Sequence, residues 1–292
     1  MILSNPAKLF LFVAWMAMPE LQAEDVDLEK AVGSLITAEK AYAKLAGEKG
    51  FREASMSVLA DDAVIFTPGA VNGKKFWRET KEDPVTIWRP IFASISRSGE
   101  LGYTTGPSEY RKSRDAEKPD AFGHFVTIWQ KNANGVWKVA LDVGVNHPQR
   151  EEAEGEIRIH VPNFPLVHPE SGSADLDKTE HSFAKSLKED EADAITDNAS
   201  NDIRVYRSGH LPAVGKTAAK KMLGDKKAKT TRAPLGAGTS TPIDLAYEYG
   251  EYTSENDDAN ERGIYLCIWR LESDGAWKLA LDFQKSAAAE KK

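Results

Sequence analysis

Two stretches of the chain carry one pattern in one register, and that repetition limits what the chain can fold into. Trp129, Gly135, Trp137, Lys138, Ala140, Leu141 and Asp142 recur as Trp269, Gly275, Trp277, Lys278, Ala280, Leu281 and Asp282, each 140 positions on. Seven identities without a gap mark two copies of one structural unit. Within residues 124–143, Val126 and Ile128 alternate with Thr127 and Trp129. Val139, Leu141 and Val143 alternate with Lys138, Ala140 and Asp142. A period of two on either side of Asn134-Gly135 predicts a β-hairpin.

The 292 residues suffice for two domains, each with its own core. At 41% hydrophobic, with seven Trp, the composition is that of a globular chain. Residues 1–23 read differently. Lys8 precedes the apolar run Leu9–Met18, and Ala23 stands before a charged start, which predicts a secretory signal peptide and a periplasmic or extracellular protein. The run is too short for a membrane span, and none is expected elsewhere. Without that leader, 37 basic residues face 44 acidic ones. An acidic chain lacking a basic stripe is a poor nucleic-acid binder. The single Cys267 excludes an internal disulfide and reads as a buried strand residue.

The first copy, over 24–145, opens with an apolar helical stripe of Val32, Leu35, Ile36, Glu39, Tyr42, Ala43 and Ala46. A second helix over 51–59, a strand over 63–66, a Pro68-Gly69 break and a short helix over 74–80 follow. Strands over 91–95 and 101–105 precede the hairpin. The second copy, over 175–286, repeats this order, with residues 180–185 echoing 39–44. Residues 146–174 read as a linker with an edge strand over 156–161, and 287–292 as a frayed tail. His147, His160 and His168 read as solvated residues without metal-ligand spacing, so no metal or cofactor is expected. Lys220, Lys221, Lys226, Lys227 and Lys229 read as a solvated loop.

This element order, taken with Ala60-Asp61-Asp62-Ala63-Val64, residues 209–216, residues 98–103 and the two Trp-Lys strands, resembles the SnoaL-like group of the nuclear transport factor 2-like superfamily. The resemblance implies an α+β fold in which a curved antiparallel sheet wraps helices into a cone with an interior pocket. It also implies sheet-to-sheet dimers, so the two copies would form an intramolecular pseudo-dimer, and a further homodimer is open. In the ketosteroid isomerases of that superfamily an Asp is the base, and a protonated Asp with a Tyr holds the oxyanion. Here the base position falls on Thr67 and Arg207, and the oxyanion Asp on Thr127 and Cys267. The oxyanion Tyr falls beside Tyr42 and Phe183. That chemistry is therefore not expected.

On the same resemblance, Phe125, Thr127 and Trp129 face inward with Lys138, Ala140 and Asp142. Tyr265, Cys267 and Trp269 do so with Lys278, Ala280 and Asp282. Trp137 and Trp277 then fall on the opposite face. Arg207 is placed to neutralise Asp282, while Thr67 offers Asp142 only a hydroxyl. Trp88 flanks a candidate pocket mouth, and Tyr103 and Tyr247 occupy matching places in the two copies. The candidate ligand-binding set is Thr67, Trp88, Tyr103, Phe125, Thr127, Trp129, Asp142, Arg207, Tyr247, Tyr265, Trp269 and Asp282. The expected function is non-catalytic binding of a small organic ligand in one or both apolar cones. An isomerase, cyclase or hydratase using Asp142 with His124 or Tyr103 is the alternative, and a protein-association module a third. Asp142 and Asp282 are read as fixing the strand's end through backbone amides; the other reading has Asp142 face a wet pocket that meets a polar or cationic ligand group.

Overall fold

The structure, a computed structural model, describes residues 26–81, 83–149, 155–163, 169–224, 227–255 and 260–287. The expected leader, His168 and most of the tail lie outside these. Asp27 starts the first helix by accepting the Lys30 amide at 3.0 Å, as an N-cap acid does. The first copy then runs α1 (Leu28–Lys49), α2 (Phe51–Val58), β1 (Leu59–Phe66), β2 (Ala70–Asn72) and α3 (Gly73–Glu79). It continues with β3 (Val85–Trp88), β4 (Phe92–Ile95), β5 (Leu101–Arg111), β6 (Ala121–Lys131) and β7 (Trp137–His147). The edge strand expected in the connecting segment is β8 (Arg158–His160), which pairs parallel to β4.

The second copy repeats the order as α4 (Pro169–Leu187), α5 (Glu191–Asn198), β9 (Ala199–Arg207), β10 (Ala213–Val214) and α6 (Lys216–Leu223). It ends with β11 (Lys229–Thr239), β12 (Leu245–Glu255), β13 (Asn260–Leu271) and β14 (Trp277–Ser286). Each copy has one mixed sheet, ordered β2-β1-β7-β6-β5-β4-β8, with β3 also on β5, and β10-β9-β14-β13-β12-β11. The hairpin turns need glycine: Gly135 and Gly275 sit at φ 74° and 80°, where a side chain would be strained. The lysine-rich run is not one loop. Lys220 and Lys221 belong to α6, and Lys229 opens an eleven-residue strand.

The alternation of β7 is interrupted, and this corrects the expected facing of its residues. Ile128 pairs with Leu141 but Trp129 pairs with Val139, so Ala140 bulges out of register. Ala280 does the same between Ile268–Leu281 and Trp269–Leu279. Past the bulge Asp142 and Asp282 face their cones. Before it, Trp137 and Val139 do, and Lys138 and Ala140 do not. Trp137 and Trp277 are therefore cone-core residues; Trp137 donates to the Ser34 hydroxyl on α1 at 2.9 Å.

In each copy the core packs its own helices against one sheet face. In the first, Val32, Leu35 and Tyr42 meet Trp88, Phe125, Trp129 and Val139. In the second, Phe183, Leu187 and Ile195 meet Tyr265, Trp269 and Leu279. The other faces of the two sheets pack on each other. Tyr103, Val126, Ile128, Leu141 and Val143 bury against Tyr206, Ile264, Leu266, Ile268, Leu281 and Phe283. Polar contacts pin the rim of this interface. The Arg97 amide donates to Asp244 and the Thr241 amide to Glu100, each at 2.8 Å. The Arg204 guanidinium lies 3.9 Å over the Phe92 ring. The intramolecular pairing of copies is thus built like a homodimer core cut from a single chain. Among the described residues no helix is long and apolar enough to cross a membrane.

Burial predicts the cost of cutting into this interface. Ile128→Ala, at 2% exposure, should destabilise the protein by about 2–5 kcal/mol in urea unfolding. Val136→Ala, on the exposed hairpin loop, should stay within about 0.5 kcal/mol. Equal unfolding midpoints for the two variants would contradict the face-to-face packing.

Candidate functional site

The interior of the first cone holds two carboxyl groups and no cation paired with either among the described residues. Glu39 comes from the apolar stripe of α1 and is fully buried. Its Oε1 accepts the Trp88 indole N–H at 2.6 Å, and its Oε2 accepts the Thr104 hydroxyl at 2.5 Å and the Trp129 indole N–H at 2.8 Å. All three donors are neutral, so they satisfy the lone pairs without cancelling charge. Burial raises the Glu39 carboxyl above its usual range, and the three donors only partly offset this.

Asp142 is half-buried on β7 and accepts the Thr127 hydroxyl of β6 at 3.0 Å. Burial and then the neighbouring Glu39 push it up to about 7, against the Thr127 hydroxyl and the Val143 backbone amide. Tyr42, on the same helical face as Glu39, hydrogen-bonds Ser55 at 2.8 Å. Burial and then Asp142 keep its phenol protonated far into the alkaline range. The ring of Tyr42 packs edge-on to Trp88 at 4.8 Å and to Trp129 at 6.3 Å. Phe125 closes the wall 6.5 Å from Trp88.

The second cone answers the same position with an ion network. Asp282 is fully buried and accepts Arg207 at 2.7 Å and Arg232 at 2.5 Å. Arg207 also reaches Glu191 at 3.1 Å, and Glu191 takes the Gln284 amide at 2.6 Å and the Thr230 hydroxyl at 3.1 Å. Burial alone would raise the Asp282 carboxyl, but Arg232 and Arg207 outweigh it and hold it below its usual range. Arg232 stands 4.6 Å from the Tyr265 ring centroid and 5.3 Å from that of Phe183. Cys267, opposite Asp282, is buried, and burial pushes its thiol up, away from reactivity. Trp269 packs edge-on to Phe183 at 5.2 Å. Tyr265 donates to Glu248 at 2.6 Å.

The remaining sequence candidates lie elsewhere. Tyr103 sits between the two sheets, 5.7 Å from Phe92, on the face opposite Asp142. Tyr247 lies at the edge of the same interface. Thr67, beyond β1, lines a cavity of about 640 Å³ between the copies, with Pro68 and Ser208. His124 is opposite Val145 on the inter-sheet face. Its Nδ1 meets His147 Nε2 at 2.7 Å, while His147 Nδ1 donates to the Pro148 carbonyl at 2.7 Å. The set Asp142 with His124 or Tyr103 is therefore split by the sheet. His147 belongs to β7 and His160 to β8; both are half-buried, and His147 meets His124. Neither Asp142 nor Asp282 is explained by backbone amides alone.

Sequence reasoning missed Glu39, Glu191 and Arg232 as interior groups. Glu39 had a signal, a lone acid inside an apolar helical stripe. Arg232 had none, because it follows a lysine-rich run.

No protein-family profile and no curated protein matches this chain. Solved structures do. An NTF2-like protein of unknown function from Pseudomonas putida KT2440 is 12% identical, aligning 43% of this chain with 93% of its own at a TM-score of 0.35. An NTF2-like protein with a cystatin-like fold from Novosphingobium aromaticivorans is 10% identical over 41% of this chain and 85% of its own, at 0.34. A ketosteroid isomerase-like protein from Erwinia carotovora atroseptica is 16% identical over 39% and 95%, at 0.32. Such identities concern fold alone. The chain is an α+β protein of two tandem copies, each a mixed sheet packed on its own helices.

The raised Asp142 carboxyl makes stability depend on pH in a defined direction. A group that binds its proton more tightly when folded adds stability below its unfolded pKa, near 4, and loses it as pH rises through about 7. Asp142→Asn should flatten the fall in unfolding free energy over that window. An unchanged pH slope in denaturant titrations would contradict a carboxyl whose proton is held more tightly in the folded state.

Proposed function

We propose that the first cone binds one small organic ligand per chain and that the second cone is a scaffold without a ligand. The observation that carries this reading is the contrast at one repeated position. Among the described residues Asp142 is half-buried with no cation partner, whereas Asp282 is met by two arginines. A carboxyl held near neutrality beside Trp88, Phe125, Trp129 and Tyr42 suits a ligand with an apolar body and one donor group, an amine or a hydroxyl. Such a ligand would supply the charged or donor partner that the described residues do not. The leader-like residues 1–23 support an exported protein acting outside the cytoplasm.

A second reading is favoured by the same carboxyl. A pKa of about 7 suits a general acid or base, so Asp142 acting without His124 or Tyr103 would serve proton transfer on the bound ligand. Turnover of the ligand by the wild type, lost in Asp142→Asn with binding kept, would select it.

Native mass spectrometry of protein purified from its natural host tests the binding reading. It predicts one small molecule per chain, released on gentle denaturation. Rebinding of that compound should weaken roughly tenfold or more in Asp142→Asn, the scale of a hydrogen bond to a charged group. An apo mass, two molecules per chain or unchanged affinity would contradict it.

A further inference from the structure

The two cones leave a groove of about 420 Å³ between the copies, outside both interiors. Its walls come from β1, α3 and the β6–β7 hairpin of the first copy and from β11 and β12 of the second, so neither copy builds it alone. From the groove's residues we infer a second binding site, one for a neutral carbohydrate.

Two tyrosines form the aromatic side of the groove. Tyr247 and Tyr249 are two apart on β12 and share a face. Each lies over a glycine of the neighbouring strand. A Cβ on Gly236 would stand 2.4 Å from the Tyr249 hydroxyl, and one on Gly238 would stand 2.5 Å from the Tyr247 ring. Strand β11 thus spends two side-chain positions on seating these rings, a costly choice in a strand unless something must approach closely. Tyr249 is held in place from the first copy by Phe66, edge-on at 5.9 Å. Burial pushes the Tyr247 phenol up to about 12, and burial with Asp62 raises Tyr249, so both remain hydroxyl donors.

The polar side of the groove points to an uncharged ligand. Lys74 is bound to Asp61 at 2.6 Å. Lys138 donates to the Ser57 carbonyl at 2.8 Å, and Lys131 sits 4.9 Å from the Trp137 ring centroid. Each cation is therefore committed, and no anion is called for. The Asp62 carboxylate and the Gln130 amide line the same groove and are exposed, without side-chain hydrogen bonds among the described residues. Aromatic faces for C–H surfaces, flanked by a carboxylate, an amide and two phenols for hydroxyls, match the alternating apolar and polar character of a sugar ring.

The test is ligand-observed and protein-observed NMR of the full chain with maltose, cellobiose, chitobiose and mannobiose. At least one disaccharide should bind with a dissociation constant on the order of 1 mM and shift the Tyr247 and Tyr249 resonances. Tyr249→Ala should weaken binding about tenfold or more. Gly236→Ala, whose new methyl displaces the Tyr249 ring and removes no side chain, should do the same. Tyr110→Ala, on the distant end of β5, should change nothing. Silence from all four sugars, or affinity unchanged in both Tyr249→Ala and Gly236→Ala, would overturn the inference.

Discussion

A curved sheet presents two faces, and in each copy the helices cover only one. The second face of each sheet is covered by the other copy, through Ile128, Leu141 and Val143 against Leu266, Ile268, Leu281 and Phe283. Fully burying such side chains contributes roughly 1.5–3 kcal/mol apiece, so this shared core is a large part of what holds the chain together. It also fixes which side chains are left to face the cones. Tyr103 and His124, which the strand pattern leaves open as functional residues, are consumed by the shared face. Fusion of the copies further creates walls that a lone copy lacks, among them the groove carrying Tyr247 and Tyr249.

Within that frame the copies have diverged in electrostatics while keeping their geometry. Asp142 and Asp282 occupy one position, just beyond the same bulge and opposite Thr127 and Cys267. Burying a carboxylate is costly unless it is paired. The second copy solves this with Arg207 and Arg232, whose own charges are balanced by Asp282 and Glu191. In the first copy Asp142 has only the Thr127 hydroxyl and no cation among the described residues, and Glu39 nearby makes ionisation harder. An interior carboxyl whose cation partner the described residues do not supply is one that a ligand can complete. In the second copy the arginines of the chain already meet Asp282 and Glu191, so neither carboxylate there needs a partner from a ligand.

Much of this architecture could be read from the residues before the structure was known. The 140-residue register, the Asn-Gly hairpin and the helical stripe of α1 placed both cones, and the pairing of Arg207 with Asp282 followed from their positions. Other features could not be read, for physical reasons. A β-bulge adds one residue without any sequence mark, and those at Ala140 and Ala280 reverse the facing of everything before them, which is why Trp137 and not Lys138 enters the core. Partners brought together from distant strands, such as Arg232 with Asp282, leave no local pattern. Glu39 stood in plain view in an apolar stripe, but its three donors come from β3, β5 and β6.

The claim that one repeated carboxyl has two opposite environments is tested most directly by carbon-13 carboxyl NMR titration of the aspartates. Asp142 should titrate with a midpoint near 7, and Asp282 should stay ionised below the ordinary carboxylate range. Two aspartates that titrate together near 4 would contradict it, and with it the division of the chain into a binding cone and a scaffold cone.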